Sequence, residues 1–201
     1  VSTHENFNQK VELRRAVEFF TGFLIAIAFH EAGHHTSESL KHDGVTLATS
    51  ILFGVFFLTA IRFFVGNQLN LLKQSISKPH GPSWYYDVTM VSLQSAILIF
   101  LGNVASLEES QHSKIGFVKA LVALYVIDVF WIASRMMLGR RWEHWKPEPK
   151  TKWWALLNSL LVAFILLGGL FFGGIYSSAG LISLGVVNLV AFVIDLKMTD
   201  L

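Results

Sequence analysis

The sequence predicts an all-α integral membrane protein, a bundle of six transmembrane helices with both termini on the cytoplasmic side. Three observations carry this reading. Hydrophobic residues make up 53% of the 201 residues and charged residues only 15%, too apolar a balance for an ordinary water-soluble domain. Apolar stretches of membrane-spanning length recur six times. Lysine and arginine gather in alternate loops, as the cytoplasmic enrichment of basic residues requires.

A helix crossing a hydrocarbon core about 30 Å thick needs about 20 mostly apolar residues. The first such stretch runs from Ala16 to His35. Lys10, Arg14 and Arg15 ahead of an apolar run that contains Ala26-Ile27-Ala28 also suit a signal peptide with its small-residue cleavage site, and we read the segment as the first span instead. The second span covers Val45 to Val65. His80-Gly81-Pro82-Ser83 then breaks the chain before the third, Tyr85 to Ser106. The fourth covers Ile115 to Leu138. Pro147 and Pro149 precede the fifth, Trp153 to Phe172, and the glycines from Gly173 to Gly180 make a short hairpin into the sixth, Ala179 to Leu196. All six are expected to be helices, because an open sheet would leave backbone groups unpaired in lipid. No linker is long enough for a separate domain, so residues 1–201 are read as one transmembrane unit.

The basic residues set the orientation. Lys10, Arg14 and Arg15, then Lys73 and Lys78, then Arg140, Arg141, Lys146, Lys150 and Lys152, and finally Lys197 alternate with loops that hold only Lys41 and Lys114. Tryptophans and tyrosines at Trp84, Tyr85, Tyr86, Trp142, Trp145, Trp153 and Trp154 are expected at the headgroup level. A net charge of +2 is too small to suggest nucleic-acid binding. The expected surroundings are membrane lipids in a cell membrane, the bacterial inner membrane or an equivalent, with a homo-oligomer or the subunits of a membrane complex as partners. Gly169 and Gly173 form G-x-x-x-G, whose small residues suit close packing within the last hairpin or self-association.

Two features bear on chemistry. His30-Glu31-Ala32-Gly33-His34 fits the H-E-x-x-H pattern, in which two histidines one helical turn apart reach one metal and the glutamate deprotonates a bound water. With His112 or the neighbouring Glu108 or Glu109 from the third loop, His30 and His34 are candidate ligands for zinc or another divalent transition metal, and Glu31 is the candidate catalytic base. The pentapeptide resembles the site-2 class of intramembrane zinc proteases over these five residues alone. Such enzymes place a third ligand, an aspartate usually followed by glycine, in a later helix, whereas here Asp128 precedes Val129 and Asp195 precedes Leu196. Asp128 is also expected roughly 12 Å deeper than His30 at about 1.5 Å per residue. The plain alternative is a set of polar residues hydrated at a helix end. Cysteine is absent, which removes thiolate sites, and histidine enters the membrane on one span only, so haem is not expected.

The second feature is the set of polar residues inside the spans, which are costly in lipid unless they face the bundle interior and find partners. Glu18, Arg62, Asp87, Arg135 and Asp195 fall near the cytoplasmic ends and form an expected inner charged layer. Gln94, Asp128 and Asn188, with Asn158 slightly nearer the cytoplasm, fall near the midplane and are the candidate ion pathway. The reading adopted is a channel-like or transporter-like unit or a subunit of a larger membrane assembly, with an intramembrane zinc metallohydrolase as the alternative.

Overall fold

The computed structural model describes residues 12, 15–16, 19–20, 22–34, 37, 46–77, 82–105, 111–142, 149–171 and 174–198. Six helices form the bundle. Residues 22–34 are helical and are here α1; α2 is Leu47–Ser77, α3 Pro82–Ala105, α4 Gln111–Gly139, α5 Pro149–Phe171 and α6 Ser178–Met198. Among the described residues five of them, α2 to α6, are long and apolar enough to cross a membrane, and the expected first span, Ala16 to His35, is described only in part.

The helix ends follow from local chemistry. Thr46 caps α2, its Oγ1 accepting from the Thr49 backbone N–H at 3.2 Å. Ser177 does the same for α6, accepting from the Gly180 N–H at 3.1 Å. Pro82 and Pro149 open α3 and α5, where a missing N–H costs nothing. Gly174, with φ of 104°, takes the left-handed turn between α5 and α6 that a side chain would resist. The one large departure from the expected spans is α2, whose 31 residues run twelve past Val65. The apolar window ends at Asn67, the sequence beyond it is mostly polar, and no glycine or proline lies between there and Ser77 to interrupt the helix.

Neighbour contacts close α2 to α6 into a ring: α2 meets α3, α3 meets α4, α4 meets α5, α5 meets α6, and α6 returns to α2. Adjacent pairs give the directions. Asp87 faces Arg135 while Gln94 faces Asp128, so α3 and α4 are antiparallel. Thr59 faces Asn188 while Arg62 faces Asp195, so α2 and α6 run the same way. The ring's interior is packed with Phe56, Phe63, Phe117, Leu98 and Leu184 rather than left open.

Helix α1 lies outside the ring. Ala28 and Ala32, one turn apart and fully buried, form its contact stripe, and Phe29 meets Phe56 and Phe57 edge-on at 5.5 Å. The approach to α3 is close at Gly102, where a Cβ would lie 2.5 Å from the Ala28 carbonyl oxygen.

Burial is inverted relative to a water-soluble protein. Arg62, Asp87, Gln94, Asp128, Asn158, Asn188 and Asp195 are buried, while Phe57, Leu93, Phe130, Leu160, Val186 and Val193 are exposed. Such an outer surface is stable only against hydrocarbon. The chain is a multi-spanning α-helical membrane protein. Two of the expected interfacial aromatics depart from that role: Trp84 and Trp154 turn into the bundle, whereas Tyr85, Trp142 and Trp153 are exposed as expected. Trp145 lies outside the described residues.

Because the backbone of Ala28 has nowhere to retreat, Gly102→Ala is expected to destabilise the bundle by about 1–3 kcal/mol. A lowered melting temperature in detergent, with earlier proteolytic release of the α1 segment, would register it; an unchanged melt would mean that α1 is not held at this contact.

Candidate functional site

A continuous hydrogen-bonded network occupies the ring's interior and draws on every one of its five helices. Asp128 of α4, 2% exposed, is the hub. Gln94 Nε2 of α3 donates to Asp128 Oδ1 at 2.8 Å, and Asn158 Nδ2 of α5 donates to Asp128 Oδ2 at 2.6 Å. Each amide is held in that orientation from its other end: Asn67 Nδ2 of α2 donates to Gln94 Oε1 at 2.9 Å, and Arg62 Nη2 donates to Asn158 Oδ1 at 3.0 Å. Arg62 Nε also donates to Asp195 Oδ2 of α6.

The Arg62 guanidinium sits over the Tyr125 ring, 5.8 Å from its centroid, which links the chain of bonds to a second cluster. There Tyr125 Oη donates to Asn188 Oδ1 at 2.5 Å, Thr59 Oγ1 donates to the same oxygen at 3.4 Å, and Asn188 Nδ2 donates to the Leu184 carbonyl one turn back at 2.9 Å. A separate pair lies between α3 and α4, where Asp87 takes Arg135 Nη1 on one oxygen and Trp131 Nε1 on the other, at 2.7 Å.

The two polar layers read from the sequence are therefore not separate. Asn158 joins Asp128 to Arg62, so the midplane residues Gln94 and Asp128 and the inner residues Arg62 and Asp195 belong to one bonded system. Asn188 joins through Tyr125. Asp87 and Arg135 pair with each other, and Glu18 lies outside the described residues. Tyr125, Thr59 and Asn67 are network members, and Trp131 a partner of the separate Asp87–Arg135 pair, that sequence reasoning missed. The available signal was spacing: Thr59 and Arg62, Tyr125 and Asp128, and Asp128, Trp131 and Arg135 recur at three, four or seven residues, the period of one helix face.

The metal site is not formed. Among the described residues no group of three or more histidines, aspartates or glutamates could hold a metal ion, and this overturns the expectation of zinc or another divalent metal on His30, His34 and His112. The reason is helical geometry. Ala28 and Ala32 face the bundle, and His30 and His34, each two residues on and so about 200° around the helix, face away from it. The His30 side chain is 75% exposed, its ring stacks on His34 at 6.2 Å, and its Nδ1 lies 3.8 Å from Glu31 Oε1. His112, exposed at the start of α4, does not join them. With no third ligand beside them among the described residues, His30 and His34 do not supply the metal-activated water that the role of Glu31 as catalytic base requires. Glu108 and Glu109 lie outside the described residues, as does Gly173 of the G-x-x-x-G pair.

Against protein-family models, curated proteins and solved structures, the chain matches none.

Two measurements follow. Breaking the Asp87–Arg135 pair with Asp87→Leu alone should destabilise the protein by about 3–5 kcal/mol, since a buried charge is left without its partner, while adding Arg135→Met should restore most of that loss. Thermal melts of the single and double variants decide it, and a double variant no better than the single would deny the coupling. Added zinc is expected to leave the melting temperature unchanged, because a ligand of the folded state would raise it; a rise that His34→Ala abolishes would reinstate the metal site.

Proposed function

We propose that the chain is a transporter-like unit that passes protons or a small monovalent cation across the membrane, with Asp128 as the central binding group. The observation that carries this is a count of charge in the bonded network. Among the described residues, the bonds given above join two carboxylates, Asp128 and Asp195, and one guanidinium, Arg62. Asp195 is matched by Arg62 directly, whereas the bonds to Asp128 come from neutral amides. A carboxylate held this way in lipid calls for a positive counter-charge, and a proton or cation is the mobile species that can supply it. The Asp87–Arg135 pair is already balanced and has no such need.

A packed interior favours a transporter-like cycle over a standing pore, since side chains as large as Phe56, Phe63 and Tyr125 have to move before an ion passes. We assign both termini to the cytoplasmic face of a cell membrane, such as the bacterial inner membrane, from the alternation of basic residues. Oligomerisation or membership of a larger complex fits this role, and the exposed apolar faces of α5 and α6 offer the surface for it.

Purified protein in liposomes, with an internal pH-sensitive dye and a potassium gradient clamped by valinomycin, should carry a proton or cation flux. Asp128→Asn is expected to reduce that flux about tenfold or more, because the exchangeable charge is removed. Flux in the variant equal to that of the native protein would sink the assignment of Asp128.

A further inference from the structure

Two enclosed donors in this region meet no acceptor among the described residues. Arg62 Nη1 and Trp154 Nε1 are both shielded and meet no hydrogen-bond partner among the described residues. A guanidinium keeps its charge in any protein, so its unmet N–H bears the full cost of desolvation unless an acceptor arrives from outside the chain. The two residues come from different helices yet line the same small cleft between α2, α5 and α6, whose walls also include Val65, Phe192 and the Asp195 carboxylate.

The position of Trp154 is set by its surroundings. Its ring meets Phe63 edge-on at 6.4 Å and lies on Gly66, where a Cβ would fall 1.3 Å from Trp154 Cη2. Only glycine leaves room for the indole there. Trp154 stands near the start of α5 and Asp195 near the end of α6, so the cleft is at the end of the ring that carries the α4–α5 connection. It is of the size of a water molecule rather than of a lipid headgroup or a metabolite, and it is not fully enclosed.

We propose that this cleft is an aqueous inlet, a site where a single water accepts from Arg62 Nη1 and Trp154 Nε1 and donates to the Asp195 carboxylate. Such a water has three polar partners, the usual number for a buried one. It sits three hydrogen bonds from Asp128, with Arg62 and Asn158 between, and therefore brings solvent from the α4–α5 end to the edge of the network. Its role as an entry route rests on the transport reading; its existence does not.

The test uses the native protein, so no variant has to fold. Microsecond X-ray pulses generate hydroxyl radicals from water, and a radical born from a site-bound water modifies the adjacent side chain even when a scavenger clears the bulk. Trp131, buried with its N–H on Asp87, is an internal dry control, and the exposed Trp142 is the bulk-water control. Scavenger-resistant modification of Trp154, read by peptide mass spectrometry, is expected at about ten times the rate for Trp131 or more, while modification of Trp142 collapses with scavenger. Modification of Trp154 no faster than that of Trp131, or lost with scavenger as at Trp142, would overturn the inlet. If Trp154 is labelled as expected and liposome flux is absent, the inlet stands and the transport reading fails.

Discussion

In a bilayer, a polar group that no aqueous inlet reaches has no water to fall back on, and its partners must come from the protein itself. The Asp128 carboxylate is where this constraint is most demanding, and the arrangement of the ring helices can be followed outward from it. Its two oxygens take amide hydrogens from Gln94 and Asn158. Each amide presents nitrogen rather than oxygen because its own oxygen is occupied, by Asn67 in one case and Arg62 in the other. Satisfying one charge thus fixes the rotation of α2, α3, α4 and α5 about their axes, and Asp195 on Arg62 adds α6. Apolar packing alone specifies rotation weakly here, because a helix that is greasy on all sides has no preferred face.

That weakness explains what the sequence could and could not convey. Helix type and the approximate limits of five of the six expected spans were legible because lipid thickness demands long apolar runs, and because Pro82, Pro149 and the glycines before α6 punctuate them. Arg62 pairs with Asp195, and Asp87 with Arg135, and in each case counting from the span ends puts the two partners at similar heights. Rotation was not legible. Counting along a helix sorts residues into layers and cannot reveal that Asn158 reaches Arg62 on one side and Asp128 on the other. Tyr125, Thr59 and Asn67 were passed over because a hydroxyl or an amide near a span is common, and only the stripe it shares with a charge marks it as inward-facing.

The H-E-x-x-H pentapeptide misled for a related reason. Spacing puts His30 and His34 on one face, but a metal site also needs that face to meet another element. Closure of the ring between α2 and α6 leaves α1 outside, where it can offer the bundle one stripe only. Small side chains permit the closest approach, and the stripe is Ala28 and Ala32, against Gly102. The histidines two residues on are turned away by that choice, so the feature that docks α1 is the one that disassembles the expected site.

The same fixed amides give the network a directional response to charge. A proton added to Asp128 turns one carboxylate oxygen into a donor, which then faces an amide N–H, donor against donor. If Asn158 answers by turning over, its oxygen accepts from Asp128 but its NH2 now confronts Arg62, and the guanidinium has to leave its place between Asn158 and Asp195. The alternative, a turn of Gln94, sets its NH2 against Asn67 and affects only amides. The two responses differ in what they move: the first displaces a charge that binds α2 to α6, and the second stays local to α2 and α3. On the transport reading proposed above, coupling of proton or cation occupancy to opening of the ring runs through Asn158 rather than Gln94. Arg62, held by Asn158 on one flank and Asp195 on the other, is the group whose displacement would unlock α6 from α2.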